Sequence, residues 1–136
     1  MTAAFLHIIH DIERVGDISE NILDLIILKG EEDITFSETA NTEVKRLGGL
    51  VEKSLEFSQD AFAKWDKVIA GKAIEVEGEI NATEQIYRDN HIRRLGKSEC
   101  ESKSGIVFLD VLSNLERVGD HSHNIANKII ELNSLG

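Results

Sequence analysis

Proline is absent from all 136 residues, cysteine occurs once, and aromatics make up only 5%. Without proline nothing breaks a helix from within, so long helices joined by short turns are favoured. The lone Cys100 rules out a disulfide framework within the chain and suits a reducing compartment. No apolar run approaches the roughly 20 residues needed to span a bilayer. The apolar start, Met1 to Ile9, is short and runs directly into Asp11 and Glu13, so no signal peptide is read there. Alternating β-branched runs bounded by turn residues are missing, and so are low-complexity segments. Basic residues are in deficit, 15 Lys and Arg against 25 Asp and Glu, for a net charge of −10. That balance argues against nucleic acid and against insertion in or adhesion to an anionic membrane. Residues 1–40 hold nine acidic side chains against Arg14 and Lys29. Such an excess suits cations or a basic partner surface, and equally a solvated exterior. The expectation is one soluble domain over 1–136, which can be part of something larger.

What the chain does have is a repeat. Ile12-Glu13-Arg14-Val15-Gly16-Asp17 returns as Leu115-Glu116-Arg117-Val118-Gly119-Asp120. Phe5-Leu6 returns as Phe108-Leu109 and Asn21-Ile22 as Asn124-Ile125, all at one offset of 103 positions. Two copies in register, each inside an apolar repeat of helical period, indicate a duplicated helix. Phe5, Ile8, Ile12, Val15, Ser19, Ile22 and Ile26 form one apolar seam by spacing; Phe108, Val111, Leu115, Val118, Ser122, Ile125 and Ile129 form the other. Glu116 and Asp120 fall one turn apart beside that seam, as do Glu13 and Asp17. Like charges at that spacing cost an isolated helix a few tenths of a kcal/mol. Gly16 and Gly119 each cost about 1 kcal/mol against alanine inside a helix. A bound cation or a close backbone contact would offset such costs.

The spacing predicts helix 1 from about residue 2 to Leu28, closed by Lys29-Gly30. Glu31 to Ser37 reads as a polar connection, with the spacing of a capping box at Thr35-Phe36-Ser37-Glu38. Helix 2 is expected over Ser37–Ala70 with Val44, Leu47, Val51, Leu55, Ser58, Phe62, Trp65 and Ile69 inward, Trp65 as an anchor, and Gly71 as its terminator. Helix 3 follows over Lys72–Leu95 on a thinner stripe, Ala73, Val76, Ile80, Thr83 and Tyr87. Its Glu75, Glu77, Glu79, Glu84 and Asp89 read as a solvated face, and Arg93-Arg94 suit its C-terminal end. Gly96–Ser104 is a loop and helix 4 spans Lys103–Leu132. The fold class is therefore all-α, an antiparallel up-down-up-down bundle of four long helices with helices 1 and 4 adjacent. Both carboxylate pairs then sit at similar height, and four carboxylates can converge.

Carboxylates clustered without Cys or paired His suit a hard metal ion: iron, Mn, Mg or Ca. Zinc would want thiolate or imidazole. The candidate ligands are Glu13, Asp17, Glu116 and Asp120, with Asp110 and Asp11 as further candidates about a turn away. Arg14 and Arg117 are placed to pair with them or to hold an anion. A salt-bridged surface explains the same residues without metal. A ferritin-like di-metal site would need Glu-x-x-His twice, and only Asp120-x-x-His123 approaches it. A glycosidase pair would need a cleft. No phosphate-cradling glycine loop, nucleophile elbow or HExxH occurs, so no enzyme activity is expected. His7, His10, His91, His121 and His123 are scattered.

Leu115-Glu116-Arg117-Val118-Gly119-Asp120-His121 followed by Asn124-Ile125-Ala126 resembles the signature helix of the PhoU family. His91-Ile92-Arg93-Arg94-Leu95-Gly96, Cys100 and Ser104-Gly105-Ile106-Val107-Phe108-Leu109-Asp110 look most like the PhoU-type tail of bacterial sodium/phosphate cotransporters. The family has two three-helix repeats. This chain resembles one full repeat preceded by the last helix of another. The first motif carries Ile18-Ser19 where the second has His121-Ser122. The resemblance implies metal binding through Glu13, Asp17, Glu116 and Asp120 and a regulatory role in phosphate uptake. It implies a cytoplasmic domain tethered to the inner membrane through a parent transporter, or a free-standing regulator of a transporter or its sensor kinase. Its partner would be a phosphate transporter's membrane domain or a phosphate-signalling protein. An apolar face left uncovered on helix 1 favours a homo-oligomer, and a metal-free oligomerisation bundle is the competing reading.

Overall fold

The computed structural model describes residues 2–97 and 102–134. Four helices account for the described chain: α1 (Thr2–Glu31), α2 (Glu38–Lys64), α3 (Lys67–Gly96) and α4 (Ser102–Ser134). The all-α bundle is as the periodicity predicts, and no strand occurs among the described residues. The expected loop position Cys100 lies outside them.

The helix boundaries follow caps more closely than apolar runs. Gly30 does not end α1; the helix continues to Glu31, and Asp33 at φ 52° turns the chain. The Ile34 amide then reaches back to the Lys29 carbonyl at 2.9 Å, and Ile34 is buried. Ser37, not Thr35, is the N-cap of α2: its Oγ accepts the Ala40 amide at 3.1 Å. The predicted helix 2 runs too far. It stops at Lys64, because Trp65 takes a left-handed conformation at φ 54° and Asp66 caps the next helix. One Asp66 carboxylate oxygen accepts the amides of Val68 at 2.8 Å and Ile69 at 3.2 Å. Gly71, expected as a terminator, lies within α3. Trp65 does anchor, stacking on Phe5 of α1 with centroids 5.6 Å apart.

The helices do not pack as a square. α4 touches all three others and α2 touches α3, whereas α1 packs on α4 alone. Helices α2, α3 and α4 thus form a three-helix bundle against which α1 lies antiparallel to α4. That hub position explains why α4 buries residues on several faces, including Val107, Leu112, Gly119 and Ala126 beside its expected seam. Where α2 meets α4, three buried serines replace apolar packing. Ser122 Oγ lies 2.8 Å from Ser54 Oγ and 2.7 Å from Ser58 Oγ, so their hydroxyls satisfy one another.

The seam of α1 differs from the expected one. Ile8, Asp11 and Ile18 are buried, with Ala4, Val15, Ile22, Leu25 and Lys29 half-buried in the same row. Ile12 and Ile26, expected inside, are 52% and 58% exposed. The predicted seam mixed two adjacent rows. The row facing α4 admits a buried acid because α4 supplies its partner, as described next.

Candidate carboxylate site on the face between α3 and α4

Glycine 119 sets the geometry of the second motif. A Cβ there would stand 3.2 Å from both Ile80 Cδ1 and Cγ2, so its absence lets α3 lie close against α4. Glu116 and Asp120 flank this close approach and are half-buried. Across it stand Glu77 and Glu84 of α3, both buried. Glu84 is held by Arg88, whose Nη2 lies 2.5 Å from Oε1 and also donates to Ser113 Oγ at 2.8 Å. Glu77 accepts from Asn81 Nδ2 at 2.6 Å, and its other oxygen lies 3.2 Å from His123 Nδ1.

Glu116 and Asp120 have no such cation. Neither forms an ion pair among the described residues. Loss of solvent around Glu116, then a hydrogen bond to Asp120 and the charges of Asp120, Glu84 and Glu77, raise its pKa to about 7. Near neutral pH Glu116 is therefore poised between its protonated and ionised forms, beside a second acid and without a basic partner. Glu77 and Glu84 escaped the sequence reading, which took α3's acids as solvated. Glu75 and Glu79 are indeed exposed. Arg88, one turn after Glu84, was the available signal.

The remaining candidates fall elsewhere. Glu13 and Asp17 are exposed on α1 and are not among the charges acting on Glu116. A Cβ on Gly16 would meet nothing within 4 Å, unlike its repeat partner Gly119. Asp11 is buried between α1 and α4, with Oδ1 2.7 Å from His121 Nδ1 and 3.4 Å from Asn124 Nδ2. The repeat's mismatch has a cause here, since His121 answers Asp11 while its counterpart Ile18 is core. Asp110 is exposed beside Arg117, Asn21 and Asp24 in a shallow hollow. Arg14 and Arg117 form no ion pair among the described residues. Among those residues no three Asp, Glu, His or Cys side chains converge in metal-ligating geometry. The donor chemistry of Glu116 and Asp120, two oxygen-only ligands without a cation, nevertheless fits a hard ion.

Comparison with known proteins agrees with the motif. The family model described as "PhoU domain" matches residues 44–129, which covers most of α2, all of α3 and most of α4. The chain is 28% identical over 121 residues to the phosphate-specific transport system accessory protein PhoU homolog 1 of Thermotoga maritima, covering 89% of this chain and 51% of that protein. It is 31% identical over 126 residues to the corresponding PhoU homolog of Pseudomonas aeruginosa, covering 90% of this chain and 50% of that protein. The chain thus spans about half the length of these curated relatives. No solved structure matches. None of the described helices is long and apolar enough to cross a membrane.

Proposed function

The chain belongs to the PhoU family, and from that premise we propose that it is a non-enzymatic, cytoplasmic regulator of phosphate uptake. In this reading it works as an accessory to a phosphate transport system and binds a hard metal ion through Glu116 and Asp120. The observation that carries the metal is the half-buried Glu116–Asp120 pair, short of a cation, with Glu116 raised in proton affinity. Glu77 and Glu84 add negative charge around the pair without converging on it as third ligands, and Glu13 with Asp17 form a second candidate pair on α1. The bound ion would neutralise the charge that the close α3–α4 approach concentrates. The relatives are named as accessory proteins of phosphate-specific transport systems, which supports the free-standing accessory over a cotransporter tail. Its partner is then a transporter's membrane component or a phosphate-signalling protein.

Thermal melting tests the metal half. Mn²⁺, Mg²⁺, Ca²⁺ or iron should raise the melting temperature by mass action and a chelator should reverse the gain. Glu116→Gln with Asp120→Asn should abolish that response. A wild type indifferent to all these ions, or a double variant that still responds fully, sinks the metal reading. Affinity purification from phosphate-replete and phosphate-starved cells tests the regulatory half. Recovery of phosphate-transporter or phosphate-signalling proteins is expected, and recovery of none in either state counts against it.

A further inference from the structure

Three histidines of α3 and α4 are not exposed, and their surroundings differ. His121 Nδ1 meets Asp11 at 2.7 Å and His123 Nδ1 meets Glu77 at 3.2 Å. Each has a carboxylate beside it to balance an added proton. His91 of α3 lies deeper, at 2% exposure. Its Nε2 is buried and has no hydrogen-bond partner among the described residues. A neutral imidazole in that position forgoes one hydrogen bond, whereas an imidazolium would bury an unbalanced charge.

The packing leaves the ring no room to find a partner. A Cβ on Gly105 of α4 would stand 2.9 Å from His91 Nε2 and 3.0 Å from Cε1, so the imidazole edge fills the space of the missing side chain. The ring also packs on Phe108 of α4, with centroids 5.0 Å apart. The acid that acts on His91 is Glu43 of α2, and it is engaged. Its Oε1 lies 2.8 Å from Arg94 Nη2, and its Oε2 accepts from Asn90 Nδ2 at 3.2 Å. The charges facing His91 are thus Arg88 and Arg94 on its own helix and Glu43 on α2. From α4 come Gly105 and Phe108, both uncharged, and α1 does not pack on α3. Burial, then the charge of Arg94, hold the His91 pKa below the ordinary imidazole value of 6.5; Glu43 opposes this and Arg88 adds to it.

We propose that His91 is a proton-operated latch between the C-terminal turns of α3 and the N-terminal turns of α4. Neutral, the ring closes this end of the bundle. Protonated, it carries an N–H on Nε2 that faces Gly105 without an acceptor, and a third positive charge beside Arg88 and Arg94. Swinging out to water relieves both, and the two helix ends part. The parting has a defined place. Arg94 ties this end of α3 to α2, and Ser104 Oγ ties the start of α4 to the Thr35 carbonyl at 3.0 Å. Beyond the Arg88–Ser113 hydrogen bond, no hydrogen bond or ion pair joins α3 to α4 at this end among the described residues. The latch is built from α2, α3 and α4 alone and does not depend on the phosphate-uptake reading. Because the folded state holds this proton less tightly than the unfolded chain, the stability it gives is full above about pH 6.5 and is lost as pH falls below that value.

Hydrogen exchange on the intact chain, corrected for intrinsic rates, reads the latch at about pH 7.5 and about pH 5.5. Protection of amides in residues 92–96 and 106–109 should fall at the lower pH by a factor approaching about ten, the limit set one pH unit below the free imidazole value. Amides around Ile80 should change far less. His91→Phe keeps a ring but cannot take the proton, and His91→Leu is a smaller alternative should the larger ring disturb the fold. Either should abolish the acid-induced loss, and His10→Gln, at an exposed position on α1, should retain it. In wild type labelled with ¹³C-histidine, the His91 ring should titrate below 6.5. Acid opening that persists in the His91 variants would overturn the latch. So would wild-type protection at this end that is unchanged at about pH 5.5, or a His91 ring that titrates at or above its ordinary value.

Discussion

The two repeat glycines separate what a motif is from what its surroundings make of it. Gly119 is needed, since Ile80 fills the space a methyl would take. Gly119→Ala should therefore lose about 1–2 kcal/mol in denaturant melts, overpacking outweighing the gain in helix propensity. Gly16→Ala meets open space and should gain up to about 1 kcal/mol when measured on dilute protein. Equal effects at the two sites would contradict the α3–α4 contact. Glu116 supplies a pH test. Its folded pKa is raised to about 7 from the ordinary carboxylate value of 4.5. The folded state therefore holds the proton more tightly than the unfolded chain. The stability this gives is full below about pH 4.5 and is lost as pH rises through about 7. Relative to wild type, Glu116→Gln should become progressively more stable between pH 5 and 8, by an amount that solvent screening keeps modest. A difference that is flat over that range would place the proton elsewhere.

At the level of elements, the number and order of the helices were legible in the sequence, and so were the inward rows of α3 and α4. Their stripes line the shared core of the three-helix bundle, so period alone identifies them. Two features were not legible. The α2–α3 junction hides inside an unbroken apolar stripe through Trp65 and Ile69; only the Asp66 carboxylate marks it, and Asp66 also reads as an ordinary surface acid. Asp66→Ala should cost about 1 kcal/mol by freeing the Val68 and Ile69 amides. No loss of stability would mean that Trp65's left-handed turn holds the corner alone. The second feature is α1, whose double row lets a spacing count draw residues from either side. Buried acids are a third kind of blind spot. Asp11, Glu77 and Glu84 are inside only because His121, His123 and Arg88 meet them, the first two from another helix. A partner on another helix has no fixed spacing in the sequence.

Taken whole, the molecule is a three-helix bundle with a fourth helix fastened along one side. Hydrogen exchange should follow that arrangement. Amides of α1 should open with less protection than those at the centre of α4, whose contacts reach every other helix. Uniform protection would mean that α1 is a full member of the cooperative unit. The antiparallel packing of α1 on α4 has a mechanical consequence as well. Ile8 clusters with Ile129 and Leu132, so the first turns of α1 and the last of α4 lie at the same end of the molecule. Tension applied between residues 2 and 134 therefore does not slide the two helices past each other. It peels them apart from that end, loading one turn at a time instead of the whole interface. In single-molecule stretching, α1 should detach first and at low force, Asp11 and His121 marking an early step of the tear. The three remaining helices should then yield separately at a higher force.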